Sequence, residues 1–76
     1  MPKLPVVSGR EVRRALERGG FVFNRQSGSH IILEHPETRR FASVPTHSAE
    51  DLPPGTLRGI LRQAGVTVEE FRRLLK

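Results

Sequence analysis

His30 is the residue of this sequence best suited to chemistry, because it follows a polar turn and opens an apolar strand. The polar segment 24–29 precedes it, and the apolar run 31–33 follows it. Histidine is the one common side chain that accepts and returns a proton near neutral pH. Since side chains alternate along a strand, His30 points away from Ile31 and Leu33, which are the better core pair. The pattern therefore predicts a solvent-accessible histidine suited to proton transfer.

Each of the three histidines also has a simpler structural interpretation. Lone histidines are common in strands, so the pattern alone favours a polar residue beside a turn at His30 over a catalyst. His35 lies two residues after Leu33, and so on the core-facing side of the strand, and it precedes Pro36. This position indicates a strand-end residue bonded to the backbone. His47 lies in a polar loop, where a solvated side chain is the more common outcome and an approach to the sheet edge is the alternative. The histidines lack the short spacings of a zinc site, so no metal ligand is predicted.

A second candidate site is a predicted helix start at Pro54. Proline suits the first helical position, and the amides of Gly55 and Thr56 would then lie at the positive end of the helix dipole, a natural anion site. Arg58 adds a guanidinium, and Arg62 repeats it four residues later, opposite the apolar stripe. Proline and glycine are also simply a common way to begin a helix. The phosphate-binding and the purely structural interpretations are equally supported.

Helix caps and apolar spacing predict the elements that would position these residues. Ser8 and Glu11 match a capping box, and the spacing that follows predicts a helix over 9–18. The helix from Pro54 is expected to close at Gly65 in the left-handed conformation, and a capping box then starts a short third helix. Residues 1–7 are predicted to form a flexible amino terminus. One domain over residues 1–76 is expected, since a chain this short holds a single core.

Three segments rich in strand-forming residues lie between the first two predicted helices. The first begins at Phe21, the second spans 29–35 and the third spans 40–44. Turn residues separate them. The order α-β-β-β-α(-α) predicts an α+β fold of two layers, with the helices on one face of a three-stranded antiparallel sheet. This arrangement is like that of double-stranded RNA-binding domains.

The composition favours an anionic partner. Thirteen basic residues, of which Lys3 and Lys76 are the two lysines, outnumber eight acidic residues and give a formal net charge of +5. Arginine suits bidentate phosphate contacts and base stacking, so nucleic acid is favoured over the alternative that the charge only maintains solubility. The absence of cysteine excludes disulfides and thiolate sites. No segment approaches the roughly 20 apolar residues of a membrane span, so a cytoplasmic protein without a membrane partner is expected.

Several short motifs occur in a specific order. They are Gly28-Ser29-His30, His35-Pro36, Val44-Pro45, Asp51-Leu52-Pro53-Pro54-Gly55-Thr56-Leu57-Arg58 and Ile60-Leu61-Arg62-Gln63-Ala64-Gly65. With these motifs the chain resembles the HicA toxin family over residues 8–75. The resemblance implies a small ribonuclease toxin of a type II toxin-antitoxin pair, with a fold like that of double-stranded RNA-binding domains. It also implies that the protein cleaves messenger RNA and that a HicB-like antitoxin silences it by covering the active site.

The resemblance assigns a role to one residue in particular. The family's catalytic histidine, in its Gly-Ser-His motif, corresponds to His30. Some members follow that histidine with a second one, whereas this chain has Ile31, so a mechanism that needs two adjacent imidazoles is not expected here. Many members also have tryptophan where this chain has Phe21, a substitution that indicates core packing.

Metal-independent RNA cleavage needs two proton transfers and cationic stabilisation of the phosphorane-like charge. His30 is assigned one proton transfer as general acid or base, and His47 is the remaining candidate for the other. Arg25, Arg58 and the amides of Gly55 and Thr56 are the candidates for charge stabilisation. Ser29 is expected to orient a phosphate through its hydroxyl or amide, and no cofactor is expected.

Two other classes of function stay open at this point. A basic α-β-β-β-α scaffold also suits an RNA-binding module that holds RNA by shape without cleaving it. The third class is an interaction protein whose first helix docks an acidic partner, since Arg10, Arg14 and Arg18 repeat every four residues along it.

Overall fold

The computed structural model describes residues 3–46 and 50–76 of the chain. Three helices and three strands occur in these residues. In chain order they are α1 (Gly9–Arg18), β1 (Val22–Ser27), β2 (His30–Glu34), β3 (Phe41–Pro45), α2 (Pro54–Ala64) and α3 (Val68–Leu74). The predicted order α-β-β-β-α-α is therefore confirmed.

The first helix begins and ends where its capping residues predict. The Ser8 hydroxyl accepts a hydrogen bond from the Glu11 amide at 3.3 Å, and the Ser8 amide donates to the Glu11 carboxylate at 3.0 Å. At the other end, the Phe21 amide donates to the Leu16 carbonyl at 3.0 Å, and Gly20 adopts a φ of 103°. Phe21 thus belongs to the helix closure, which explains why β1 begins one residue later than the apolar pattern indicates.

The three strands form one antiparallel sheet in the order β1-β2-β3. His30, at the start of β2, lies opposite Ser27 of β1 and Pro45 of β3. Ile31 and Leu33 are buried, whereas His30 is exposed. The strand register expected from the sequence is confirmed, because the apolar pair faces the core and His30 lies on the opposite face of the sheet.

The helices cover one face of this sheet and leave the other open. Alternate residues of β2 and β3 enter the same buried cluster as the apolar stripes of the helices. The fully buried large side chains of this core are Phe71, Leu16, Leu33, Leu57, Val12 and Val44. The α+β fold of two layers, consistent with a double-stranded RNA-binding-domain-like arrangement, is confirmed.

Helix α2 runs antiparallel to β3 beside the edge of the sheet. The Ser43 amide of β3 donates to the Gln63 side chain at 3.0 Å, and the Arg40 side chain lies against Gly65. These contacts place the end of α2 beside the start of β3. The start of α2 lies toward the end of the sheet where β3 finishes and β2 begins, because Asp51 pairs with Ser8 and Gly9 packs against the Pro45 carbonyl.

The segment before α1 packs against the rest of the fold in its described part. Val7 is buried, Leu4 lies against the core, and the Leu52 amide donates to the Val7 carbonyl at 2.8 Å. The Arg72 side chain donates to the Lys3 carbonyl at 2.9 Å. The flexibility predicted for residues 1–7 stays a prediction.

Within the described residues, no helix is long and apolar enough to cross a membrane.

Candidate active site

His30 projects from the first position of β2, directly after the two-residue turn of the β1–β2 hairpin. Gly28 occupies the left-handed region of this turn with a φ of 59°, which glycine adopts without a Cβ penalty. The backbone of β2 is fixed by pairing on both sides, to β1 and to β3. The turn and the central strand thus hold the histidine in place while its side chain meets solvent.

A β-bulge in β1 brings Arg25 to the same face of the sheet as His30. Phe23 pairs with Leu33 on the helix-covered face, but Arg25 pairs with Ile32 on the open face, because the register shifts at Asn24. Arg25 is thus a diagonal cross-strand neighbour of His30, at a spacing of about 7–8 Å that long side chains span.

Two side-chain hydrogen bonds hold this bulge. The Asn24 amide group donates to the Glu34 carboxylate at 3.0 Å, and the Arg25 guanidinium donates to the Asn24 carbonyl oxygen at 3.3 Å. The guanidinium is held near the sheet by this second bond, although Arg25 as a whole is exposed. The site therefore combines an accessible imidazole with an oriented cation on one surface.

Ser29 lies in the hairpin turn, where its carbonyl connects the turn to the end of β3. It accepts hydrogen bonds from the Thr46 amide at 2.9 Å and from the Thr46 hydroxyl at 3.1 Å. These bonds extend the β2–β3 pairing beyond His30 and Pro45. Thr46 is a supporting residue that the sequence analysis did not identify, and the antiparallel register is the signal that places it there.

The start of α2 exposes backbone donors, as the sequence predicts. Pro54 occupies the first turn, and the first helical hydrogen bond runs from the Leu57 amide to the Pro53 carbonyl at 3.1 Å. The N-cap residue Pro53 makes no side-chain capping bond among the described residues. The exposed amides of Gly55 and Thr56 therefore remain directed to solvent at the positive end of the helix.

The predicted residues divide into a group at one end of the molecule and a more distant one. His30, Ser29 and Arg25 share the hairpin, and the start of α2 lies toward the same end. Arg58 is exposed in the first turns of α2. Arg62 is also exposed, but it lies about 12 Å along the axis from the helix start, given 1.5 Å per residue. His47, the candidate for a second proton transfer, lies outside the described residues.

His35 is a structural residue, as its position in the strand predicts. Its Nδ1 atom accepts from the amides of Glu37 at 3.2 Å and Thr38 at 3.4 Å. Its ring packs edge-on against Phe21, with the ring centroids 5.2 Å apart. His35 and His30 lie at opposite ends of β2, and residues 3–46 and 50–76 contain no cluster of three or more potential metal-ligating side chains.

A cleft of about 200 Å³ lies between the start of α1 and the sheet, on the helix-covered side of β2. Its lining residues are Gly9, Arg10, Arg13, Ile31 and Thr46. The sequence places Arg10 among the arginines that repeat along the first helix, and it has no local signal for the cleft. Two residues of the cleft flank the candidate site, since Ile31 follows His30 and Thr46 binds Ser29.

The sequence model of a family described as the HicA toxin of bacterial toxin-antitoxin systems matches residues 9–66. The chain belongs to the HicA toxin family. The match includes both α1 and α2 and all three strands, so the whole candidate site lies inside it. Comparison with curated proteins finds no match.

Membership of the HicA family makes the protein a toxin of a toxin-antitoxin system. Toxins of this family generally cleave RNA and are paired with an antitoxin. The exposed imidazole, the arginines and the open helix start agree with an RNA target.

Proposed function

We propose that this HicA protein is a metal-independent endoribonuclease that cleaves messenger RNA, with His30 as a general acid or base. The observation that carries the proposal is the exposed position of His30 at the start of β2, beside Arg25 on the same face of the sheet. Both side chains are exposed, so the 2′-hydroxyl and the phosphate oxygens of an RNA strand have access to them.

The reaction proposed is attack of the RNA 2′-hydroxyl on the adjacent phosphorus. The bond from the 2′-oxygen to phosphorus forms while the bond from phosphorus to the 5′-oxygen breaks. One proton leaves the 2′-hydroxyl, and one proton reaches the departing 5′-oxygen. We assign one of these transfers to the His30 imidazole, which contributes about 10²–10⁴ in rate when a histidine is well placed. The chemistry needs no metal ion, because the nucleophile is supplied by the RNA itself.

Charge that develops on the phosphate oxygens needs donors arranged before the reaction. Arg25 lies on the His30 face and offers a planar guanidinium that fits two phosphate oxygens. The amides of Gly55 and Thr56, with Arg58, offer a second set of donors toward the same end of the molecule. We propose that Arg25 binds the reacting phosphate, that Ser29 orients it, and that α2 with Arg62 holds the RNA further along its backbone.

The proposed partner of the toxin is a HicB-like antitoxin that covers His30. The support is the family membership together with the exposure of the site, since nothing in the described fold shields His30 from solvent. A protein that covers this surface would prevent RNA from reaching the imidazole.

The test is RNA cleavage by His30→Ala in the presence of EDTA. We expect the cleavage rate of a labelled RNA to fall by about 10²–10⁴, because the proton transfer is lost. RNA binding and the circular dichroism spectrum should stay near those of the wild type, since His30 is exposed.

His35→Asn is the matched control, because asparagine retains an acceptor for the Glu37 amide. This variant should cleave RNA at the wild-type rate per folded molecule. An unchanged rate in His30→Ala would contradict the assignment of His30. Binding of RNA by the wild type without any cleavage would favour the alternative function, a non-catalytic RNA-binding module.

A further inference from the structure

Phe23 is a half-exposed aromatic residue on the side of the sheet that the helices cover. It pairs with the buried Leu33 and shares its face, yet 51% of its surface meets solvent. The Arg13 guanidinium of α1 lies 5.8 Å from the centre of its ring. An exposed aromatic ring with an arginine over it is a surface on which a nucleobase stacks favourably.

Arg13 connects this ring to the cleft beside the candidate active site. It lines the cleft together with Arg10, which lies three residues earlier and so on the same side of α1. The two guanidinium groups outweigh the single Glu17 carboxylate that pairs with Arg13, so the cleft favours an anionic group. Glu17 binds the Arg13 Nε atom at 3.3 Å and holds the side chain in position.

The volume of the cleft limits which part of a nucleotide it can hold. Its volume of about 200 Å³ is below the range of about 300–1,000 Å³ typical of pockets that enclose whole small molecules. A cleft of this size suits a phosphate group better than a whole nucleotide. The base would lie outside the cleft, on the exposed ring of Phe23.

We propose that the cleft and Phe23 form a nucleotide-binding subsite for single-stranded RNA. Arg10 and Arg13 bind the phosphate of one nucleotide on the helix-covered side of the sheet, and Phe23 stacks on its base. The inference rests on the proposed function, because the strand bound in the cleft is taken to be the RNA that His30 cleaves. A base in a duplex is already stacked on its neighbours, so the subsite selects an unpaired strand.

The first test measures binding in a His30→Ala background, which prevents cleavage during the measurement. The probe is a short fluorescein-labelled oligouridine, followed by fluorescence anisotropy. Phe23→Leu should weaken its affinity about tenfold, because base stacking on an aromatic ring is lost. Phe23→Tyr keeps an aromatic ring and should bind like its parent. Phe41→Leu is the matched control, since Phe41 is 40% exposed on the other face of the sheet, at the end of β3 remote from His30, and it should leave the affinity unchanged.

A set of probes with one abasic ribose each locates the stacked base. The parent protein should lose affinity when the abasic ribose occupies one particular position, and the Phe23→Leu protein should show no such position. Equal affinities of Phe23→Leu and Phe41→Leu, whether both normal or both reduced, would overturn the stacking assignment. An abasic penalty that persists in Phe23→Leu would overturn it as well. Circular dichroism of both variants establishes that they are folded.

Salt dependence tests the phosphate contact separately. Arg10→Gln should reduce the slope of log affinity against log salt by about 0.7, the contribution of one phosphate contact in a single strand. Arg14→Gln is the matched control, because Arg14 is exposed on α1 but does not line the cleft. Equal slopes in the two variants would overturn the phosphate assignment. Absence of cleavage by the wild type, with the Phe23 effect intact, would refute the nuclease function and leave the subsite standing.

Discussion

The two longer helices begin toward the same end of the molecule, but their first turns are built in opposite ways. At the start of α1, Ser8 and Glu11 form a complete capping box, and Gly9 is buried against the Pro45 carbonyl of β3. At the start of α2, Pro53 makes no side-chain capping bond within the described residues, and a Cβ on Gly55 would meet nothing within 4 Å. One helix start is occupied by the fold, and the other is open.

This difference distinguishes two roles of a helix start, which are to pack the helix on the fold and to bind an anion. At the start of α1 the Glu11 amide donates to the Ser8 hydroxyl and Gly9 packs against the Pro45 carbonyl, so that end fixes the helix on the sheet. The amides of Gly55 and Thr56 at the start of α2 have no partner among the described residues, so that end suits a phosphate. A glycine in a first helical turn thus has a packing role in α1 and leaves room for a ligand in α2.

Gly9→Ala tests the packed helix start and should have the largest effect. A Cβ at residue 9 would overlap the Pro45 carbonyl oxygen, so α1 must shift away from β3. We expect a loss of about 1–3 kcal/mol in the free energy of unfolding, the usual cost of overpacking. Urea denaturation measures it as a lower midpoint at unchanged slope.

Gly55→Ala is the control for this substitution, because alanine there meets open space. It should raise the stability by about 0.4–1 kcal/mol, since the unfolded chain loses conformational freedom. Equal midpoints for the two alanine variants would show that the helix starts do not differ in packing.

Ser8→Ala tests the capping box of α1 with a smaller expected effect. Loss of the hydroxyl leaves the Glu11 amide without its partner and should cost about 1 kcal/mol. For a domain of this size the melting temperature should fall by about 4–8 °C. Ser8→Asn keeps an acceptor and should melt near the wild type. A Ser8→Ala protein with the melting temperature of the wild type would show that the capping box contributes little to stability.

Local sequence signals predict most of this fold because they act over a few residues. The capping boxes at Ser8 and Thr67 and the left-handed Gly65 place three helix ends correctly. The alternation of Ile31 and Leu33 also places His30 on the open face, because one face of β2 must be buried. These predictions needed no knowledge of how the elements pack together.

The composition of the site was harder to predict, because it depends on a bulge and on contacts between elements. Strict alternation along β1 would put Phe23 and Arg25 on the same face, whereas the bulge at Asn24 puts them on opposite faces. The hydrogen bond from Asn24 to Glu34 joins residues ten apart and has no local sequence signal. The cleft at Arg10 likewise arises only when α1 lies against the sheet.

Gly55→Glu tests the open helix start through two effects of opposite sign. A carboxylate in the first turn of α2 interacts favourably with the helix dipole, so the protein should gain about 0.3–1 kcal/mol in stability. The same charge occupies the place proposed for a phosphate, so RNA affinity should fall and its salt dependence should become shallower. Gly55→Ala provides the control, because it adds a side chain without charge. A Gly55→Glu protein that gains stability but binds RNA as tightly as Gly55→Ala would contradict the phosphate site. Gly55 would then serve only to begin the helix, and both helix starts would have purely structural roles.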